Sequence, residues 1–248
     1  MLKFIKKGIN LRLDEALVKK NLVETRSKAK ELIKNEKVTV NDKIIKKPSF
    51  EVKDNDKIEI LQKVYVSRAA WKLKNYLEKY NIDFKNKDVL DIGASTGGFS
   101  EVSLEKGAKE VVCVDVGKDQ LHFKLKNDKR IKNFENTDIR KFKYDKKFDV
   151  VVSDVSFISL IKILDVIDNF SKSDIILLFK PQFEVGKDIK RDKRGVVLDK
   201  DAIKKARENF EKSAKNLKWK LIRSEKASIK GKEGNIEYIY HFKKENND

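Results

Sequence analysis

The spacing of hydrophobic residues changes along the chain. Between Leu11 and Val18, Leu13, Ala16 and Leu17 fall on one helical face, with Lys20 next along it. Thr25 is placed to cap a second helix that carries Ala29, Leu32 and Ile33. The period then shortens to two. Val38-Thr39-Val40 and Lys43-Ile44-Ile45 flank Asn41-Asp42, a tight hairpin turn, and Asp56-Lys57-Ile58-Glu59-Ile60 alternates as a further strand. Two short helices followed by short strands make a small α+β unit.

Beyond it the apolar runs become continuous. Asp88–Ile92, Glu110–Asp115, Phe148–Asp154 and Asp174–Lys180 read as buried strands. A glycine-rich turn and a helix through about Lys106 follow the first, and a helix over Ile158–Phe170 follows the third. Asp199–Leu217 reads as a long polar helix, and Trp219–Lys226 and Glu237–Lys243 as closing strands. Near-continuous apolar strands alternating with helices predict an α/β fold, a mostly parallel sheet covered on both faces. The boundary falls near Gln62–Val66, giving domains 1–63 and 64–248. No Pro/Gly/Ser linker marks it, so close joining is expected.

Charge changes this picture only partly. In 248 residues, 58 Lys and Arg outnumber 40 Asp and Glu, for a net charge of +18. Such an excess suits a polyanionic partner, but lysine-heavy coding bias would also produce it. Residues 1–63 hold +7 of the total, about twice the density of the remainder. A lone cysteine, Cys113, excludes a disulfide framework and a multi-cysteine zinc site, and two histidines leave little for a histidine metal centre, so no metal is expected. Met1–Gly8 is basic with no signal-length apolar stretch after it, and no run reaches the ~20 apolar residues that span a bilayer. A cytoplasmic protein is expected, with a monomer favoured.

The first region, through Arg12-Leu13-Asp14, Thr25-Arg26-Ser27-Lys28-Ala29 and Val38-Thr39-Val40-Asn41, resembles the αL-type RNA-binding domain of a small ribosomal subunit protein and many pseudouridine synthases. The resemblance implies that Arg12, Arg26, Lys28, Lys30 and Lys34 meet RNA, largely at phosphates, which gives affinity more than sequence readout. Arg68, opening the second region, joins them. A solvated charged helix face is the plain alternative.

Chemistry concentrates in the second region. Asp91-Ile-Gly93-Ala94-Ser95-Thr-Gly97-Gly98-Phe99 lies between a strand and a helix, where glycines let the backbone approach a ligand. Asp115 ends the next strand, placed to accept two ribose hydroxyls. The glycine spacing is not that of dinucleotide sites. Asp91 just before the first glycine suits a ligand carrying an ammonium and a sulfonium rather than a pyrophosphate. The pattern resembles motif I of S-adenosylmethionine-dependent methyltransferases, which implies cofactor contacts at Asp91, Gly93, Ala94, Ser95, Gly97, Phe99, Asp115 and Asp154. On the same resemblance Asp138 reads the adenine amino group; a cap or turn is the plain role for each Asp.

Three methyl-transfer chemistries differ in what they need. Amino methylation of bases calls for Asn/Asp-Pro-Pro-Tyr/Phe, but Asp154-Val-Ser-Phe157 has no proline. Pyrimidine C5 methylation needs a nucleophilic cysteine, and Cys113 sits inside an apolar strand. Ribose 2′-O-methylation needs an oriented hydroxyl, which a lysine among charged neighbours supplies. Lys72, Asp154, Lys180 and Glu237 resemble the Lys-Asp-Lys-Glu tetrad of FtsJ-type ribose methyltransferases. This implies Lys180 as base or hydroxyl orienter, Asp154 holding it, and Lys72 and Glu237 tuning the site.

Together with Ser67-Arg68, Lys180-Pro-Gln-Phe-Glu and Gly234-Asn235-Ile236-Glu237-Tyr238, these residues resemble the TlyA family over about residues 8–243. That implies a Rossmann-like class I methyltransferase fold with a seven-stranded sheet, S-adenosylmethionine as cofactor, and 2′-O-methylation of a cytidine in ribosomal RNA. The short ends resemble the form associated with the large subunit. The basic loop Lys187–Arg194 either closes over the target nucleotide or is a solvated loop. Two further roles stay open: an assembly factor with a vestigial cofactor site, and the membrane lysis suggested by the family's haemolysin label, for which no broad amphipathic basic helix is apparent.

Overall fold

The computed structural model describes residues 10–61 and 63–245. The basic Met1–Gly8 stretch, Gln62 at the expected boundary and the end of the polar tail, 246–248, lie outside them. Contacts divide the chain into two compact units, Met1–Val64 and Tyr65–Asp248.

The first unit contains β1 (Leu11–Arg12), α1 (Leu13–Lys19), α2 (Arg26–Lys34), β2 (Val38–Val40), β3 (Lys43–Ile44), β4 (Glu51–Val52) and β5 (Ile58–Ile60). Thr25 caps α2 by accepting the Lys28 N–H at 3.2 Å. Val40 pairs with Lys43 across the hairpin, and Asn41 and Asp42 both take positive φ, as a two-residue turn matched to strand twist requires. Leu13, Leu17, Leu32, Ile33 and Val38 form the core. Two positions depart from the spacing argument. Lys20 lies just past α1 and is exposed, whereas Asp14 is wholly buried. A carboxylate at a core position became tolerable because α2 brings cations to it.

The second unit runs α3 (Arg68–Tyr80), β6 (Asp88–Ile92), α4 (Gly98–Glu105), β7 (Glu110–Val114), α5 (Phe123–Lys126), β8 (Ile131–Phe134), β9 (Phe148–Ser153), α6 (Leu164–Phe170), β10 (Ser171–Phe179), α7 (Pro181–Glu184), α8 (Lys200–Asn216), β11 (Trp219–Lys226) and β12 (Tyr238–Lys244). The seven strands lie in the order β11-β12-β10-β9-β6-β7-β8. β12 runs antiparallel to both neighbours, and the strands from β10 to β8 are parallel.

Alternate strand residues feed two cores. Val89, Val111, Val150 and Ile176 pack with Leu73, Tyr76 and Leu77 of α3. Leu90, Val112, Val151 and Ile175 pack with Leu164 and Ile167 of α6 and Phe210 of α8. Continuous apolar runs are therefore required, since both faces are covered. The helix expected over Ile158–Phe170 opens instead as a 3₁₀ turn, Leu160–Ile163, and becomes α-helical at Leu164. Asp199 caps α8 through the Ala202 N–H at 2.8 Å. Because β6, β9 and β10 are adjacent and parallel, the residues that follow them share one edge of the sheet.

Candidate active site

The turn after β6 needs glycine for steric reasons. At Gly93 φ is +77°, and a Cβ there would stand 3.0 Å from the Val155 backbone. A cavity of about 160 Å³ opens at this edge, lined by Ser67, Asp91, Gly93, Phe99, Asp154 and Lys180 among others. Ala94 and Ser95, both expected at the cofactor, also line it, as does Gly98, which sequence reasoning left out. Gly97 adopts φ +92° against Leu121 and Leu125.

Asp91 is wholly buried, and Oδ2 accepts the Ser100 hydroxyl at 2.6 Å. Its other oxygen, Oδ1, has no hydrogen-bond partner. Burial, with Asp154 and Asp115 adding repulsion, pushes this carboxyl up to about 7. An orphaned carboxylate oxygen in a cavity is matched by an ammonium donor. The residues therefore fit the amino-acid end of S-adenosylmethionine.

Asp115 follows β7. Its carboxylate accepts backbone N–H groups of Ser95 at 2.8 Å and Gly117 at 2.7 Å, which fix its orientation. Each oxygen keeps a lone pair for a ribose hydroxyl. Asp138 caps a 3₁₀ turn and accepts from Arg140 at 2.5 and 3.0 Å. Those bonds to Arg140 hold its carboxyl at about 2. Cys113 is buried beside Asp91 and Ser100, and burial raises its thiol, so no thiolate is on offer.

The four charged residues form two pairs. Lys180 Nζ lies 2.6 Å from Asp154 Oδ1 and donates to the Ser156 hydroxyl at 2.8 Å. Lys72 Nζ lies 2.5 Å from Glu237 Oε2, and both are buried. Asp154 and Lys180 line the cavity; Lys72 and Glu237 are not among its lining residues. Glu184 ties the loop after β9 to the one after β10: it accepts the Ser159 hydroxyl at 2.6 Å and the Leu160 N–H at 2.8 Å. Desolvation raises its carboxyl.

Phe157, three residues past Asp154, is 92% exposed with φ +66°. An aromatic residue in the left-handed region and in water is costly, and its ring meets Phe183 at 5.2 Å. Sequence reasoning noted Phe157 only for the missing prolines. The combination of positive φ and exposure appears only in three dimensions.

The segment after α7 is a tied strap. The Arg191 guanidinium donates to four carbonyls, those of Gln182, Gly186, Lys187 and Ile189, at 2.7–3.2 Å. Asp192 Oδ1 accepts the Arg194 and Val196 N–H groups. Buried Asn235 clamps its far end, accepting the Val197 N–H at 3.0 Å and donating to the Gly195 carbonyl at 3.2 Å.

In the first unit, Asp14 collects the cations expected at RNA. Arg12 Nε lies 3.0 Å from Oδ1, while Arg26 at 3.2 Å and Lys30 at 3.9 Å approach Oδ2. Arg26 also pairs with Glu15, and Lys28 with Glu31. Burial alone would raise Asp14, but bonds from Arg12 and Arg26 hold it below the ordinary range. Lys34 is exposed, and exposed Arg68 donates to the Lys230 carbonyl at 3.3 Å.

Comparison with known proteins matches residues 65–244 to the FtsJ-like methyltransferase family and residues 11–58 to the S4 domain. The chain is 50% identical over 245 residues to a Campylobacter jejuni protein named 23S rRNA (cytidine-2′-O)-methyltransferase TlyA, covering 91% of this chain and 96% of that one. It is 36% identical to the Mycobacterium tuberculosis 16S/23S rRNA (cytidine-2′-O)-methyltransferase TlyA, covering 92% and 88%. A solved structure of a candidate hemolysin from Streptococcus thermophilus superposes with TM-score 0.70 at 32% identity, covering 95% and 88%.

Proposed function

The chain belongs to the FtsJ-like methyltransferase family, in the TlyA group that adds an S4 domain, and on that premise we propose that it transfers a methyl group from S-adenosylmethionine to the 2′-oxygen of a cytidine in ribosomal RNA. The observation that carries the reading is the Lys180–Asp154 pair at 2.6 Å on the wall of the cavity that holds the orphaned Asp91 oxygen. Large-subunit RNA is the substrate favoured by the 50% identity to a protein named for 23S rRNA alone.

The cofactor supplies an electrophilic methyl on a sulfonium. The protein's residues do the rest. Asp91 takes the ammonium, and Asp115 accepts from the ribose hydroxyls. Lys180 aims the target 2′-hydroxyl and, as the base, takes the proton that its oxygen sheds on accepting the methyl group. Asp154 and Ser156 fix the lysine's position. Lys72 and Glu237 hold α3 against the segment before β12. The exposed Phe157 ring, set against half-buried Phe183, offers an apolar face to a base turned out of its helix. The S4 domain and the exposed lysines supply affinity for the RNA backbone. The protein would work where ribosomes are made, in the cytoplasm. No helix among the described residues is long and apolar enough to cross a membrane.

Labelled methyl transfer to ribosomal subunits tests this. Transfer should vanish in Lys180→Ala and Asp154→Ala while RNA binding persists. Unchanged transfer in both would remove the pair from the chemistry.

A further inference from the structure

We propose that Glu184 is a positioning residue for methyl transfer: it holds the loop after β9 so that Ser156 meets Lys180 and Phe157 meets the turned-out base. The inference rests on the methyl-transfer reading above and adds a residue outside the two charged pairs.

α7 is a single turn, Pro181–Glu184, with Lys180 at its N-cap. The Phe183 N–H donates to the Lys180 carbonyl at 2.9 Å, and the Val185 N–H to that of Pro181 at 3.1 Å. Proline in the first turn fixes where it starts. Residues three and four apart share a helical face. Lys180, Phe183 and Glu184 therefore point the same way, toward the loop after β9.

Each of the three finds its partner there, in chain order. Lys180 meets Asp154 at 2.6 Å and Ser156 at 2.8 Å. Phe183 meets the Phe157 ring at 5.2 Å. Glu184 accepts the Ser159 hydroxyl at 2.6 Å and the Leu160 N–H at 2.8 Å. Leu160 opens the 3₁₀ turn that leads into α6, and the first amides of such an element lack acceptors within it. Ser159 Oγ also accepts the Ile161 N–H at 3.2 Å. Glu184 thus fastens the point where the loop becomes helical.

Phe157 lies between the two fastenings, with φ +66°. Strained backbone persists only where its surroundings over-determine it. Lys180's partners on one side and Glu184's on the other do so here. Without Glu184 the stretch from Ser156 to Ser159 can relax, and both Ser156 and the aromatic ring leave their places. Asp154 is held separately, because its N–H donates to the Ile92 carbonyl of β6 at 3.3 Å. Glu184 is half-buried, and desolvation raises its carboxyl. A carboxylate there is costly unless its bonds are made.

Steady-state methyl transfer by the full chain tests this, with S-adenosylmethionine affinity read by calorimetry. Glu184→Ala should lower kcat by roughly 10–100-fold, the scale of a slight misplacement at the reacting atoms. Its affinity for S-adenosylmethionine should stay that of the wild type. Glu184→Gln keeps an acceptor for Leu160 and gains a donor for Ser159 Oγ, so kcat should return to within about threefold of wild type. Ser159→Ala removes one of the two bonds and should lower kcat about fivefold. Added to Glu184→Ala it should lower kcat little further, because both act through one contact. A kcat near wild type in Glu184→Ala would overturn the proposal. So would Glu184→Gln as slow as Glu184→Ala, or cofactor affinity falling in step with kcat, the mark of a collapsed site. Should Glu184→Ala fail to fold, Ser159→Ala decides: lower kcat at unchanged cofactor affinity supports the clamp, and an unchanged kcat overturns it. A wild-type protein that methylates no ribose overturns the methyl-transfer reading itself.

Discussion

Asp14 and Asp91 are the same side chain, equally removed from water, in two units that treat them oppositely. Asp14 is surrounded by Arg12, Arg26 and Lys30, and its carboxyl falls below the ordinary 3.8. Asp91 has a serine hydroxyl on one oxygen and nothing on the other, and its carboxyl rises from 3.8 to about 7. The first carboxylate is satisfied by the chain and organises the cations of the RNA-binding unit. The second is left unsatisfied, which costs stability and creates a place for a ligand's positive charge. Burial alone therefore says little about a charged residue's role; what its oxygens touch decides it.

The largest expected effect belongs to the unit that leaves charge unsatisfied. Lys180→Ala should lower methyl transfer by roughly 10²–10⁴-fold, the range for losing a positioned acid–base group, with RNA retention on filters unchanged. A comparable loss from removing any lysine of the first unit would dissolve the division between chemistry and attachment.

Next, Asp14→Asn should destabilise the first unit by about 2 kcal/mol, the scale of lost charged hydrogen bonds. Asp91→Asn should leave thermal stability equal or higher while weakening S-adenosylmethionine binding. Thermal melts of both variants, with and without cofactor, check the contrast. Equal destabilisation would show that Asp91 is also structural.

The two carboxylates also predict opposite pH trends. Asp14 is depressed, so its stabilisation is present above the unfolded value of 3.8 and is lost as pH falls further. Asp91 is raised, so between about 4 and about 7 the folded protein keeps a proton that the unfolded chain has released. That contribution to stability declines as pH rises through the window. A bound ammonium favours the ionised form, so cofactor binding at pH 6 should release a proton. Affinity should then fall by up to about tenfold per unit below pH 7. Calorimetry in buffers of differing ionisation enthalpy reads the proton directly, and pH-independent affinity would remove Asp91 from the ammonium site.

The smallest effect concerns the strap. Arg191→Gln removes bonds to carbonyls rather than to RNA, so it should speed proteolysis within residues 187–194 and raise KM for RNA a few-fold. A loss of RNA binding as large as that from several S4 lysines together would show that Arg191 contacts RNA.

How much of this was legible beforehand follows from where the information lies. Strands such as Val111–Val114 and Ile175–Phe179 announce themselves because both sheet faces are covered. The short edge strand Ile131–Phe134 does not, since its middle residues are exposed. α3 keeps helical spacing at Ala70, Leu73 and Leu77, but the lysines between them blur that pattern in the sequence. The Lys180–Asp154 pair was legible because residues following adjacent parallel strands must converge. Asp14 was not, because its partners Arg26 and Lys30 come from another helix and looked like free RNA contacts. Arg191 was hidden for a related reason: its acceptors are backbone carbonyls, which carry no residue identity.

The central claim is that Lys180 directs methyl transfer to a ribose oxygen. Wild-type protein and Lys180→Ala, matched for S-adenosylmethionine binding, should be incubated with large ribosomal subunits and the RNA mapped for 2′-O-methylation. The account predicts a 2′-O-methylcytidine made by the wild type and absent with the variant. Methylation on a base rather than a ribose, or an undiminished 2′-O-methyl yield from Lys180→Ala, would contradict it.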